Sequence, residues 1–243
     1  MIRTMNKERL KQYFAQMGIE LDDKQAYAFI RYYEMLVEKN KVMNLTAITE
    51  PEDVLIKHFA DSISPGPLSG RLIDVGTGAG FPGIPLKIAF PDLQVTLLDS
   101  LKKRVTFLDE VISELKLSGI STFHGRAEDL ARDPGHREKY DLVVSRAVAH
   151  MSILSEYCLP FLKCDGRFIA YKSKKYLEEN EASQSETAVK LLGGKTEEIR
   201  PISLPECDAD RCLVIIKKIS HTPKQYPQKA GMAKRMPIGS PLK

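Results

Sequence analysis

Apolar positions follow two periods along this chain, and the switches between them mark its elements. Over the first 64 residues the spacing is helical. Ala26, Phe29, Ile30, Tyr33, Leu36 and Val37 fall on one face, as in an amphipathic helix, and Asp22-Asp23 stands where a helix cap is expected. Pro51-Glu52-Asp53 opens another helix that runs through His58 towards Ile63, and Pro65-Gly66-Pro67 breaks it. Short apolar runs then alternate with amphipathic stretches. Strands are predicted at residues 71–75, 95–98, 121–124, 140–145 and 167–171, the last after a turn at Asp165-Gly166. Helices are predicted at 84–89, 101–117, within 151–162 and at 176–192. Residues 195–203 and 212–216 read as a closing antiparallel pair. Beyond Ser220 turn residues dominate, and this segment is expected to wrap a surface or stay mobile.

Alternating strands and helices imply a mostly parallel sheet with helices on both faces. The predicted fold class is therefore α/β and Rossmann-like, with a closing antiparallel strand. A helical N-terminal extension (1–66), a core domain (67–219) and a C-terminal tail (220–243) are expected. Ligands in such sheets bind beyond the carboxyl ends of the strands, so the residues that follow each strand carry the functional information.

After the first strand stands Gly76-Thr77-Gly78-Ala79-Gly80-Phe81-Pro82-Gly83. Gly76, Gly78 and Gly80 give the G-x-G-x-G spacing usual in S-adenosylmethionine (SAM) methyltransferases. Gly78, Gly80 and Gly83 satisfy the dinucleotide pattern G-x-G-x-x-G. The second strand ends in Asp99, an acid suited to a ribose diol, but its distance fits both patterns. The prolines favour a cofactor without phosphates. A pyrophosphate needs free N–H groups at the helix start, and Pro82 and Pro85 remove two of them.

The third strand leads into Arg126-Ala127-Glu128-Asp129. A backbone N–H and a carboxylate here can bracket an adenine ring nitrogen and its exocyclic amine. The fourth strand ends in Ser145-Arg146-Ala147, where Arg146 sits at the mouth of the site and can position a phosphate or a target base. Lys102-Lys103-Arg104 begin a helix after Ser100, a candidate N-cap. Cations at a helix N-terminus oppose the macrodipole by roughly 0.3–1 kcal/mol each. A nucleic-acid phosphate offsets that cost, and so does local ion pairing of Arg104.

The net charge is only +4, but residues 217–243 carry seven Lys/Arg and no Asp or Glu. Such a terminus suits a polyanion partner. The apolar content of 43% fits an ordinary globular core. No run of 18 apolar residues and no signal-peptide pattern occurs, so no membrane partner and a cytoplasmic location are expected. Cys158, Cys164, Cys207 and Cys212 lack metal-binding spacing, and free thiols without a metal are expected. The residues after the fourth strand also lack the polar-Pro-Pro-aromatic motif of adenine amine methylation. No cysteine stands at a strand end for attack on a pyrimidine. A target with its own in-plane lone pair, such as guanine N7, needs neither device.

Several segments together resemble one family: Met43-Asn44-Leu45-Thr46, Lys57-His58-Phe59-Ala60-Asp61-Ser62, the run from Ile73 to Leu86, Leu98 to Arg104, Arg126-Ala127-Glu128, and Ser145-Arg146-Ala147. In order and spacing they are similar to the bacterial glucose-inhibited division protein B family, 16S rRNA (guanine-N7) methyltransferases. The resemblance implies SAM contacts at Gly76, Phe81, Ala127, Glu128 and Arg146. Gly78 and Asp99 join them on the stereochemical grounds above. Lys102, Lys103, Arg104, Arg126 and Lys172 are candidate RNA contacts, and Arg146 and Arg126 candidate positioning residues. No general base is assigned. The expected partner is 16S rRNA, in a small ribosomal subunit or its assembly intermediate, and the expected state is a monomer. A SAM-dependent enzyme acting on a small molecule or protein, a nicotinamide enzyme and a non-catalytic RNA-binding assembly protein that retains a SAM fold are the competing readings.

Overall fold

Burial on both faces gives the central strands their nearly continuous apolar runs, and the sheet is assembled around them. The computed structural model describes residues 4–146, 149–173 and 175–239. Helices α1 (Lys7–Gln16) and α2 (Asp23–Met43) come first. Asp22 caps α2 in a reciprocal capping box with Gln25. The segment opened by Pro51 is α-helical over Pro51–Val54 (α3), π-helical over Leu55–Ala60 and α-helical again over Asp61–Ile63 (α4).

Next come β1 (Arg71–Val75), α5 (Gly83–Ala89), β2 (Gln94–Asp99), α6 (Lys102–Glu114), β3 (Ile120–His124), α7 (Ala127–Leu130), β4 (Tyr140–Arg146) and α8 (Met151–Cys158). After them follow β5 (Leu162–Ser173), α9 (Lys175–Glu178), α10 (Glu181–Leu191), β6 (Gly194–Leu204), β7 (Cys207–Lys218) and α11 (Met232–Arg235). Among the described residues one seven-stranded sheet runs β3-β2-β1-β4-β5-β7-β6. Its first five strands pair in parallel, and β7 lies antiparallel to both β5 and β6. The order reverses between β1 and β4, which places a switch point at their carboxyl ends.

One face of the sheet buries Leu72, Leu97, Val144 and Ile215 against Phe14, Phe29, Tyr32 and Phe59 of the N-terminal helices and against α5 and α6. The other buries Ile73, Val143, Phe168 and Val214 against α8 and α10. The N-terminal helices therefore share the core of the sheet.

Three local expectations are corrected. The turn at Asp165-Gly166 is a bulge inside the longer β5: Asp165 takes φ +68°, and the β4–β5 register shifts beside it. A Cβ on Gly166 would stand 2.9 Å from the Asp141 carbonyl. The helix expected over 176–192 divides at Asn180, whose φ is +55°. Ser100 does not cap α6; Leu101 holds that position, and its N–H donates to Asp99 Oδ1 at 2.8 Å. The carboxylate thus supplies the negative charge that the α6 N-terminus favours. The tail takes the first of its two expected courses and wraps the protein. Arg137 donates to the Thr222 and Tyr226 carbonyls, and the Glu138 carboxylate accepts from the Thr222 amide.

Candidate cofactor site and its surroundings

The glycine turn after β1 is held from beneath by Asp74. Its Oδ2 accepts from Thr77 Oγ1 at 2.7 Å and from the Gly83 amide at 2.8 Å. Burial pushes the Asp74 carboxyl up to about 7, against the pull of these two donors. The other oxygen, Oδ1, is buried with no hydrogen-bond partner among the described residues. From above, the Tyr32 hydroxyl of α2 donates to the Ala79 carbonyl at 2.6 Å. Gly78 takes φ +64°, and a Cβ there would meet nothing within 4 Å, so its bare backbone is open to a ligand. Gly80 serves packing instead: a Cβ would come within 2.7 Å of the Tyr32 hydroxyl.

The start of α5 offers little to a phosphate. Pro82 and Pro85 have no N–H, the Gly83 amide is taken by Asp74, and the Ile84 amide donates to the Gly80 carbonyl at 2.8 Å. This donor set suits a cofactor without phosphates, as the prolines suggest.

A cleft of about 190 Å³ opens beside the turn, at the carboxyl ends of β1, β2 and β4. Gly76, Asp99, Arg126, Ala127 and Glu128 line it, joined by Ser100, Ser145, Leu154, Tyr157 and Lys234. Asp99 is only 3% exposed; it accepts from the Gly78 amide at 2.9 Å, and Arg104 Nη1 lies 3.5 Å away. Glu128 is equally buried, with Arg126 Nη2 at 3.7 Å. The fit to the adenosine part of SAM is chemical. The carboxylates of Asp99 and Glu128 both line the cleft, together with Ala127, the first residue of α7.

Arg146 and Phe81 form a separate cluster. The Arg146 guanidinium lies 4.9 Å above the Phe81 ring, and its Nη1 donates to Asp61 Oδ2 at 3.0 Å. The π-helical turn widens the backbone there and directs the Lys57 and His58 carbonyls to the same guanidinium, each at 3.4 Å. His58 stacks on Phe81 at 4.6 Å. Arg146 Nη2 can only donate, so His58 Nδ1, 3.3 Å away, is the acceptor, and Nε2–H donates to Thr46 Oγ1 at 2.8 Å. Burial and then the Arg146 charge hold the His58 ring down to about 3, so it is neutral. Arg211 also reaches Asp61 Oδ2, at 3.4 Å.

The structure therefore divides the sequence-derived candidates. Gly76, Asp99, Ala127 and Glu128 share the cleft, Gly78 borders it through Asp99, and Phe81 and Arg146 form the adjoining cluster. Lys102 and Lys103 are exposed at the start of α6, and the Arg126 side chain is 53% exposed at the rim. Lys172 is placed otherwise: its ammonium donates to Glu181 Oε1 at 2.6 Å and to the Ala149 carbonyl at 3.0 Å, leaving its side chain 12% exposed. Ala147 and Val148 lie outside the described residues. Thr46, His58 and Asp61 had no assigned role, although a histidine and an aspartate inside the apolar run 54–63 mark a polar cluster. Lys234 was legible only as part of the basic tail, with no signal that placed it in the wall of this cleft. Among the described residues no group of three or more His, Cys, Asp or Glu could hold a metal ion, and no helix is long and apolar enough to cross a membrane.

The sheet order, the glycine turn and the acid-lined cleft define a SAM-dependent methyltransferase. Residues 25–205 match the family described as rRNA small subunit methyltransferase G, and the chain belongs to that family. It is 52% identical over 227 residues to the ribosomal RNA small subunit methyltransferase G of Lachnoclostridium phytofermentans, covering 91% of this chain and 93% of that protein. The protein of the same name from Listeria monocytogenes is 47% identical, over 96% of this chain and all of the relative. The crystal structure of M. jannaschii TYW2 in complex with AdoMet shares the fold, with a TM-score of 0.51 at 18% identity, over 66% of this chain and 74% of that one.

Proposed function

We propose that this protein methylates N7 of one guanine in a loop of 16S rRNA, within the small ribosomal subunit or its assembly intermediate. The observation that carries the reading is the gathering of Gly76, Asp99, Ala127 and Glu128 around one cleft beside the Arg146–Phe81 cluster. Asp99 accepts from the ribose hydroxyls. The Ala127 amide and the Glu128 carboxylate meet the adenine edge, and the bare Gly78 backbone lets the amino-acid part of the cofactor approach. Phe81 and Arg146 wall the transfer end. When bound, SAM supplies a methyl group on a sulfonium centre. Guanine N7 carries an in-plane lone pair and no proton, so the protein's task is alignment rather than base catalysis.

The surroundings agree with that task. The His58 ring is neutral and pinned at both nitrogens, and Asp61 is engaged by Arg146 and Arg211. Exposed Lys102, Lys103 and Arg126 stand near the cleft where phosphates of a splayed loop can reach them.

Methyl transfer to naked 16S RNA and to small subunits, with Arg146→Ala as control, tests the reading. The expected result is 7-methylguanosine at one position, lost in the variant. Undiminished 7-methylguanosine at every 16S position in a deletion strain overturns it.

A further inference from the structure

The C-terminal segment meets two buried carboxylates of the core. Glu156 on α8 is fully buried, and both of its oxygens are taken by Gln228: Oε1 by the backbone N–H and Oε2 by Nε2. Three residues on, the Gly231 amide donates to Glu128 Oε1 at 2.9 Å. Arg126 Nη2, at 3.7 Å, is too distant for a hydrogen bond. The Gly231 amide is therefore the contact that fixes the rotation of the Glu128 carboxylate. Gly231 has φ +81° and turns the chain into α11, where Ala233 is fully buried and Lys234 joins the cleft wall. A buried carboxylate needs its hydrogen bonds, and Glu128 receives one from a residue 103 positions away in sequence.

We infer that this segment belongs to the cofactor site: the Gly231 amide holds Glu128 Oε1 so that Oε2 is left to accept from the adenine amino group. Gly231 is thus a positioning residue acting through its backbone, and Lys234 closes the adenine end of the cleft. The inference rests on the cofactor assignment proposed above. A site built around a donor on its ligand discriminates strongly against an analogue that lacks it. Inosine presents an oxygen in place of the amine, and the fixed carboxylate repels it.

The experiment measures affinities for S-adenosylhomocysteine and S-inosylhomocysteine by calorimetry on the full chain. A Cβ at position 231 would meet nothing within 4 Å, so Gly231→Ala perturbs only the backbone torsion, which asparagine tolerates better than alanine. The wild type is expected to prefer the adenosine ligand by about 30-fold or more. Gly231→Ala is expected to cut that ratio about 3- to 10-fold, with Gly231→Asn restoring most of it. A ratio moved by Glu128→Ala but untouched by Gly231→Ala overturns this inference alone. A wild type with no preference, or a preference that Glu128→Ala leaves unchanged, overturns the cofactor assignment and the inference with it.

Discussion

At the scale of single residues, the region around the glycine turn sets two buried titrations against each other. Asp74 has its carboxyl raised to about 7 by burial. An acid with a raised folded pKa binds protons more tightly when folded, so its contribution to stability falls as pH rises from about 4 to about 7. His58, held down to about 3, does the reverse: its contribution is present above about 6.5 and is lost as pH falls towards 3. Each amounts to about 4 kcal/mol over three pH units, so the two slopes largely cancel in the native protein. Asp74→Asn should leave a stability that climbs with pH across this window, and His58→Gln one that declines. Urea unfolding midpoints at pH 4.5 and 7.5 test both. A midpoint shift of the same sign in the two variants would contradict the assigned directions.

At the scale of elements, the clearest sequence signals came from burial on both faces of the sheet. Residues 71–75, 95–98 and 140–145 are short, largely apolar runs, and they form strands with the register expected of a parallel sheet. The glycine turn was equally legible, because φ > 0 and bare backbone demand glycine itself. The π-helical stretch Leu55–Ala60 was not, since its apolar spacing still reads as helix. What distinguishes it is a charge on a distant strand, Arg146, which collects the released carbonyls. The bulge at Asp165 likewise looked like a turn, because a turn and a bulge both use a residue at φ > 0. The tail has almost no periodicity; Arg137, Glu138, Glu156 and Glu128 on the core set its path. One helix reaches into the site directly. Tyr32→Phe removes the α2 hydroxyl that holds Ala79 and leaves a buried carbonyl short of a donor, at about 1–3 kcal/mol. Urea unfolding should show that loss, and calorimetry a weaker cofactor; unchanged affinity would mean that the turn holds its shape without α2.

At the scale of the whole molecule, charge is distributed for a polyanion while the net value stays small. Exposed Lys102 and Lys103 stand on α6, and the tail carries Lys229, Lys234 and Arg235 with no acidic residue. Each phosphate contact steepens the fall of affinity with salt by about one unit of logarithmic slope. Replacing Lys102 and Lys103 together by alanine should reduce that slope by about 1–2 in filter binding of 16S RNA while leaving cofactor affinity unchanged. An unaltered slope would remove α6 from the RNA surface.

The place of β7 has a consequence for how the protein is made. This strand follows β6 in the chain yet lies between β5 and β6 in the sheet. A growing polypeptide that has produced β6 but not β7 therefore holds a strand with no neighbour and a β5 edge open to any other chain. Vectorial synthesis leaves insertion of the central hairpin partner until nearly the end, a long-range step of the kind that folds slowly. Chains stopped at residue 206 should accumulate as aggregate, whereas chains stopped after Ser220 should give soluble protein with a complete sheet by circular dichroism. Late nonsense mutations would then fall into two kinds on either side of β7, the first abolishing the protein and the second sparing its fold.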